Sequence, residues 1–245
     1  MIFRTGFLFV CLLVVIACSG RQSGAAEKFF MDEQFESLEN WEPFYFPNIK
    51  RHSRYAIIKK DGESWLQAES SASASAIMYQ KSFDVYRYRH LKWRWKAANI
   101  YQKGDAEKKS GDDYPLRIYV MFQYEPQKAG FLEKITYNAA RLIYGAYPPY
   151  STLNYIWANK NHQRKIVKNR YTDRARMILL EMGDEHLNQW RDYKVDILKD
   201  YREAFGEDPP ARARIAIMND SDDTGESSRS QVDYIQLYGE RIADR

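Results

Sequence analysis

Two stretches of this chain alternate apolar side chains with polar ones, and this alternation constrains the fold more than any other feature. From residue 91 to residue 97, leucine, tryptophan and alanine take the odd positions while lysine and arginine take the even ones, and residues 116–124 repeat the pattern. Successive side chains of a β-strand point to opposite faces, so each stretch predicts a half-buried strand. Trp93, Trp95 and Trp157 lie on apolar faces and are expected in the core.

Similar runs recur along the chain and predict about ten short strands. They cover residues 55–59, 65–69, 153–158, 176–182, 190–197, 212–218 and 231–238. The small-residue patch 70–76 is predicted to be a strand that continues through residues 77–79. Short strands separated by turns are typical of an all-β fold, here a two-sheet antiparallel sandwich.

Two helices are predicted to interrupt the strands. A helical insertion near residues 128–146 carries an apolar stripe that we expect to pack on the sandwich rather than to bind a partner. The stripe comprises Phe131, Leu132, Ile135, Ala139, Leu142, Ile143 and Ala146. A short connector helix near residues 200–205 is predicted to begin with a capping box formed by Asp200 and Glu203.

The first residues of the chain predict export. Arg4 precedes an apolar run, residues 6–17, and small polar residues follow, as in a signal peptide. The run is shorter than the roughly 20 residues that span a bilayer. Its last residues and Cys18 resemble the lipobox of bacterial lipoproteins, which implies that Cys18 carries the lipid and that Ser19 directs the protein to the outer membrane. Ordinary cleavage after Ala26 is the alternative.

These features divide the chain into three parts. Residues 1–18 are predicted to be a lipoprotein signal peptide, residues 19–28 a flexible tether, and residues 29–240 a single β-sandwich domain. The expected location is the periplasm, with a lipid anchor in the membrane.

The cysteine count and the charge exclude several classes of function. Cys11 and Cys18 are the two cysteines of the chain and both lie in the signal segment. The domain is therefore expected to have no disulfide, thiolate zinc site or cysteine nucleophile. A formal net charge of +4 is too small for a nucleic-acid-binding surface.

Aromatic and planar polar side chains suggest a ligand-binding face. Phe, Trp and Tyr make up 15% of the chain, with 19 tyrosines, and such rings favour both strands and carbohydrate surfaces. Guanidinium groups on the same face would favour acidic sugars. The candidate ligand-binding residues are Arg94, Asp112, Asp113, Arg117, Tyr119 and Arg214. The alternative is an outer face of ordinary charged side chains.

Two acidic loops are the candidate metal-binding features. One loop, residues 219–225, lies between two predicted strands, and a second, residues 111–114, precedes another strand. Closely spaced carboxylates supply the oxygen ligands that calcium requires. Asp220, Asp222 and Asp223 are therefore the predicted calcium ligands, and a solvated turn rich in aspartate is the alternative.

Catalytic motifs are weak in this sequence. The four histidines are scattered and form no metalloprotease or esterase motif. Glu181, in an apolar stretch, is the best candidate for a catalytic carboxylate, but a strand glutamate more often faces solvent.

Several stretches, in order along most of the domain, resemble the bacterial family DUF3047. The matching segments are Gly-Asp-Asp-Tyr at 111–114 followed by 117–122, then 153–158, 200–206 and 217–224. Asp223 stands where the family would have asparagine. The resemblance implies a jelly-roll-like sandwich and supplies no activity.

Three hypotheses for the function follow from the sequence. The leading one is an exported lipoprotein that binds a glycan or another cell-envelope ligand without catalysis. The second is a polysaccharide hydrolase or lyase on the same scaffold, and the third is a structural lipoprotein that binds a protein partner.

Overall fold

Two β-sheets pack face to face in the computed structural model, which describes residues 28–144 and 147–240. The described residues form fourteen strands and two α-helices. The predicted two-sheet, jelly-roll-like sandwich is confirmed. The signal segment 1–18 with Cys18, tether residues 19–27, and Gly145 and Ala146 of the helical insertion lie outside the described residues.

The first sheet is antiparallel throughout. Its central strand β14 lies between β7 and β4 and also pairs with β1, and the full order is β12-β7-β14-β4-β3. Its strands are β1 (Lys28–Glu33), β3 (Arg54–Lys60), β4 (Glu63–Ser71), β7 (His90–Ala97), β12 (Arg191–Asp196) and β14 (Ser227–Gly239).

The second sheet has the order β10-β11-β9-β8-β13-β5-β2, with β6 paired to the start of β13. Its strands are β2 (Trp41–Phe44), β5 (Ala74–Tyr79), β6 (Phe83–Asp84), β8 (Arg117–Phe122), β9 (Ser151–Ala158), β10 (Ile166–Lys168), β11 (Ala175–Met182) and β13 (Arg212–Asp220). The pair β9–β11 is parallel, unlike the predicted antiparallel arrangement. Parallel neighbours need a long return connection, which residues 159–174 supply.

The two sheets share one aromatic core. Trp93, Trp95 and Trp157 are fully buried, as predicted from their positions on apolar faces. Trp95 of the first sheet contacts Trp157 of the second, with ring centroids 6.2 Å apart. The polar residues between them, such as Arg94, face outward from the sandwich.

The small-residue patch 70–76 is not one continuous strand. β4 ends in the first sheet at Ser71, and β5 begins in the second sheet at Ala74. The chain crosses between the sheets at Ala72, whose φ of 46° is left-handed. Alternating small residues have no bulk that would distinguish a strand from such a crossing, so the pattern did not predict it.

Helix α2 (Ile197–Phe205) is longer than predicted because it begins earlier. Its N-cap is Asp196, whose carboxylate accepts hydrogen bonds from the backbone N–H groups of Leu198 and Lys199. The predicted capping box was wrong: Asp200 instead accepts a hydrogen bond from the hydroxyl of Tyr155 at 2.8 Å.

Helix α1 (Phe131–Tyr144) lies within the predicted insertion, but its apolar stripe does not pack on the sandwich. Phe131, Leu132, Ile135 and Leu142 are all exposed, Leu142 to 88%. The opposite side of the helix meets the sandwich, where Tyr137 stacks on Tyr124 with centroids 3.8 Å apart. The amphipathic pattern predicted the helix correctly and its buried side wrongly. The side chain of Ile143 lies outside the described part.

The sandwich has two distinct ends. At the acidic end, β8 begins and β13 ends, so the loops 98–116 and 221–226 meet there. At the opposite, helix end, β8 leads into α1, and β1 pairs with the last residue of β14, Gly239. In the described part of the chain, no helix has the length and apolar character to cross a membrane.

Candidate functional site

The two acidic loops meet because β8 and β13 are antiparallel neighbours. Arg117 at the start of β8 faces Met218 near the end of β13. The carboxylate of Asp220 accepts a hydrogen bond from the backbone N–H of Tyr114 at 3.2 Å. The sequence could not show this proximity, because it depends on the strand order. We call the carboxylates gathered here, Asp112, Asp113, Asp220, Asp222 and Asp223, the acidic centre.

Arg117 is buried inside the acidic centre. Its Nε donates to Asp220 Oδ1 at 2.9 Å, and its Nη2 donates both to Asp220 Oδ2 and to the carbonyl oxygen of Asp112. The guanidinium also lies over the ring of Tyr114, 4.4 Å from its centroid. Burial lowers the pKa of Arg117, but the charges of Asp220 and Asp112 and the hydrogen bond to Asp220 contribute to a larger combined rise, and the net shift is upward. Arg117 therefore holds the centre together from a position that is almost fully buried.

Asp113 fixes the loop that follows β13. Its side chain is fully buried and accepts hydrogen bonds from the backbone N–H groups of Thr224, at 2.5 Å, and Asp223, at 3.4 Å. The loop turns at Gly225, which has a left-handed φ of 72°. A carboxylate from one loop thus shapes the backbone of the other.

Three carboxylates are close enough to share a cation. One oxygen from each of Asp113, Asp220 and Asp222 lies within 4.8 Å of the other two. Asp113 and Asp220 are buried and Asp222 is exposed. In the described part of the chain, Arg117 pairs with Asp220 and Asp112, whereas Asp113 and Asp222 form no ion pair.

Asp223 does not join this set. Both of its carboxylate oxygens accept from the hydroxyl of Tyr171, at 2.8 and 2.7 Å. Of the three predicted calcium ligands, Asp220 and Asp222 are therefore among the three carboxylates that lie close together. Asp113 is the third member, in place of Asp223. Burial, together with the charge of Asp113, raises the pKa of both Asp222 and Asp223.

Two buried acceptor oxygens near the centre have no hydrogen-bond donor among the described residues. Asp112 Oδ2 accepts from Asn169 at 2.8 Å, but Asp112 Oδ1 lacks such a donor and lies 3.7 Å from Arg117 Nη1. Asn154 Oδ1, on the neighbouring strand β9, is the other. Asn154 and Asn169 were not among the predicted site residues, since an isolated amide forms no recognisable sequence pattern.

The predicted ligand face is only partly assembled. Arg117, Tyr119 and Arg214 lie on the outer face of the second sheet, where Tyr119 is half-buried with its hydroxyl 3.3 Å from Met218 Sδ. Arg214 donates to Glu42 at 2.5 Å and to the carbonyl of Tyr79 at 2.9 Å.

Arg94 is separate from that group, because β7 belongs to the first sheet. It pairs with Asp233, at 3.2 Å, on the opposite outside of the sandwich. The expectation that all four residues project from one face was wrong for Arg94.

Glu181 is held by donors rather than open to a substrate. Its carboxylate accepts from Arg191 Nε at 2.7 Å and from the hydroxyl of Tyr193, and it lies 2.8 Å from His186 Nδ1. Burial raises its pKa, but these hydrogen bonds outweigh burial and the net shift is downward. A carboxylate that stays ionised in this way is unsuited to act as a general acid.

An open cavity of about 620 Å³ adjoins the acidic centre. Its lining includes the guanidinium-bearing residues Arg51, Arg54 and Arg229 and several serines. Ser73 joins the two features, since it lines the cavity and its backbone N–H donates to Ser221, between Asp220 and Asp222, at 3.4 Å. The cavity has the volume of a small-molecule site, and its lining combines several hydrogen-bond donors with the carboxylate of Glu69.

Comparison with known proteins gives a family and several distant structures. A family model described as a protein of unknown function, DUF3047, matches residues 39–236. No curated protein matches significantly. A lectin from Bauhinia forficata in complex with GalNAc has a TM-score of 0.44 at 10% identity, covering 89% of this chain and 100% of the lectin.

Two other solved structures are similar at the same level. The carbohydrate recognition domain of Emp47p has a TM-score of 0.43 at 8% identity, covering 85% of this chain and 94% of that domain. Endoglucanase 3 of Trichoderma harzianum, from family GH12, has a TM-score of 0.42 at 6% identity, covering 88% of this chain and 98% of the enzyme. Similarity this low does not identify a ligand or an activity for this chain.

Proposed function

Because this chain belongs to DUF3047, a family of proteins of unknown function, we propose a function from its own acidic centre: noncatalytic, calcium-dependent binding of a saccharide or similar hydroxyl-rich ligand of the cell envelope. One observation carries the proposal. Three carboxylates from two loops converge within 4.8 Å, and only one of them is neutralised by an ion pair in the described residues.

The charge balance of the centre favours a divalent cation. Burial, and after it repulsion from neighbouring carboxylates, raises the pKa of Asp222 and Asp223, so a cation bound among the carboxylates would relieve a cost of the metal-free fold. Calcium is the favoured metal because it accepts carboxylate and carbonyl oxygens in irregular geometry. It takes six to eight oxygen ligands, more than these carboxylates supply. Since Asp222 is exposed, the remaining positions are open to water or to ligand hydroxyls.

The neighbouring cavity supports a saccharide as the ligand. Serine hydroxyls can bond to sugar hydroxyls, and Arg51, Arg54 and Arg229 favour a sugar that carries a carboxylate. Arg229 is already paired with Glu69 at 2.8 Å, so Arg51 and Arg54 are the stronger candidates for contact with an anionic group. We therefore propose an acidic saccharide over a neutral one.

The proposed setting is the periplasmic side of the outer membrane, with the chain anchored by a lipid on Cys18. In that setting the domain would retain a polymer of the envelope near the membrane. The arrangement of Glu181 offers no support for the alternative of a hydrolase.

A thermal-shift titration of the chain from Ser19 to Arg245, with calcium, with magnesium and with chelator, tests the cation. Calcium is expected to raise the melting temperature, because a ligand that binds only the folded state stabilises it by mass action. Asp222→Asn should raise the calcium concentration that gives half of the full shift in melting temperature at least tenfold. Asp184→Asn, the same change at an exposed position outside the centre, should leave it unchanged. Equal melting curves in calcium and chelator would contradict the cation site.

The same assay with uronate-containing and neutral oligosaccharides tests the ligand. An acidic oligosaccharide is expected to raise the melting temperature further in calcium than in chelator. Arg54→Gln should remove that rise, whereas Lys60→Gln, at the other end of strand β3, should not. If calcium raises the melting temperature and no saccharide does, the proposed calcium site is supported and the proposed saccharide ligand is contradicted.

A further inference from the structure

Exposed apolar side chains concentrate at the helix end of the sandwich. Of the eight large hydrophobic residues exposed in the described part of the chain, six lie at this end: Phe29, Tyr86, Phe131, Leu132, Ile135 and Leu142. Phe131 and Leu132 are exposed to 78% and 77%. Single exposed hydrophobic residues are ordinary on a protein surface, but a concentration of them marks a surface that meets another apolar phase or partner.

The elements that carry these residues lie next to one another. Phe30, next to Phe29, contacts Phe83 of β6 with ring centroids 5.9 Å apart, and Tyr86 follows β6. Tyr86 also lines a cavity of about 290 Å³ together with Tyr124, Lys128 and Glu133, at the start of α1. Strand β1, β6 and helix α1 therefore adjoin at the helix end.

Helix α1 has the side-chain arrangement of a helix that lies in a membrane interface. Phe131, Ile135 and Leu142 share its outward face, and the exposed basic residues Lys134 and Arg141 border that face. The inward side is polar and aromatic: Glu133 pairs with Arg174 at 3.7 Å, and Tyr137 stacks on Tyr124. An apolar face with a basic border along one side suits burial at the boundary between lipid headgroups and acyl chains.

The course of the chain singles out the membrane as the occupant of this surface. Strand β1 begins at Lys28, which pairs with Gly239 at the helix end. Cys18 lies only ten residues before Lys28, and an extended chain of that length spans roughly 35 Å at most. A lipid on Cys18 would therefore keep the helix end, where the tether joins the domain, within reach of the bilayer. This step rests on the lipid anchor of the proposed function. The exposure of the apolar residues is independent of that anchor.

We infer that the helix end is a lipid-docking surface, with α1 lying in the membrane interface and inserting Phe131, Leu132, Ile135 and Leu142. A single acyl chain gives only marginal membrane binding, and a second contact stabilises it. Docking at the helix end also turns the acidic centre and its cavity away from the membrane, toward soluble or wall-bound ligands. The domain thus has a defined orientation on the bilayer instead of swinging on its tether.

Vesicle sedimentation of the non-lipidated chain, Ser19 to Arg245, tests this surface without the anchor. The probes are vesicles of phosphatidylethanolamine and phosphatidylglycerol at 3:1, and of phosphatidylcholine alone. Wild type is expected to bind both kinds of vesicle. The double variant Leu132→Asp, Leu142→Asp should bind roughly a hundredfold more weakly, about tenfold for each leucine removed from the apolar phase. Both leucines are highly exposed, so an unchanged melting temperature will show that the variant is folded.

Tyr45→Asp is the matched control, because Tyr45 is an exposed aromatic residue remote from the helix end, stacked on His52. It should bind vesicles as wild type does. Failure of wild type to bind either vesicle, or equal binding by the double variant, would overturn the docking surface. A lipid-free dimer that the double variant abolishes would also overturn it and assign the surface to a second copy. The calcium response of the double variant, read separately, reports on the acidic centre alone.

Discussion

The acidic end of the sandwich buries charged side chains, whereas the helix end exposes apolar ones. At the acidic end, Arg117 and Asp220 are almost fully buried and satisfy one another. At the helix end, Phe131 and Leu142 remain in solvent. A soluble domain with no further task would be expected to have neither feature, because both cost free energy in water. We propose a partner for each end, a cation at the acidic end and a lipid surface at the helix end.

The largest effect is expected from Arg117→Met. The change leaves the carboxylates of Asp220 and Asp112 buried without the guanidinium that pairs with them. Removing one partner of a buried ion pair typically costs about 3–5 kcal/mol. Urea unfolding should show this loss in the free energy of unfolding. Arg94→Met is the control, since its ion pairs are partly exposed and are worth less than about 1 kcal/mol. A loss as small as that of the control would mean that the acidic centre does not depend on Arg117.

A smaller, pH-dependent effect is expected at Asp196, near the helix end. Burial raises the pKa of Asp196, but hydrogen bonds from Arg89 and from the N-terminus of α2 outweigh burial and the net shift is downward. Its contribution is therefore present above the unfolded pKa of about 3.9 and is lost as the pH falls through the folded pKa.

Asp196→Ala should cost about 1–2 kcal/mol at pH 7, because both the cap and the ion pair are lost. The difference from wild type should close at low pH. Asp196→Asn keeps a capping side chain and should recover part of the loss. A pH-independent difference between Asp196→Ala and wild type would rule out the charge as its cause.

The smallest effect on stability is expected from Asp222→Asn, at the acidic end, measured in chelator. The pKa of Asp222 is raised in the folded state, so its charge lowers stability as the pH rises through the unfolded pKa toward the folded one. Without a cation, Asp222→Asn should slightly stabilise the protein at pH 7, within about 0.5 kcal/mol. In calcium the sign should reverse. Destabilisation in chelator, measured by thermal unfolding, would show that Asp222 has a structural partner instead.

The strands that the sequence predicted best are those with one fully buried face. β7 and β8 follow their alternation almost to the residue, because core packing and solvent act on opposite faces of each. β2, β6 and β10 have four residues or fewer, too few to establish a period. The exposed stripe of α1 shows a different limit: periodicity predicts that an apolar face exists and not what covers it.

The candidate site was predictable in its residue types and not in its assembly. Asp112, Asp113, Asp220 and Asp222 stood out because closely spaced carboxylates in loops supply the oxygen ligands that calcium requires. Asp113 belongs to the set of three carboxylates and Asp223 does not, because β8 pairs with β13 and because Asp223 accepts a hydrogen bond from Tyr171. Neither contact can be recognised from the neighbouring sequence.

Strand β14 is the middle of the first sheet and also its last strand in the chain, and this order affects when the domain can fold. β4 and β7 lie on either side of β14, and β1 pairs with its final residues. A chain delivered from its N-terminus cannot complete this sheet until residues 227–239 emerge. Folds dominated by such distant pairings also form slowly. A polypeptide with this strand order therefore closes its first sheet last, when its C-terminal strand enters between two strands that are already made.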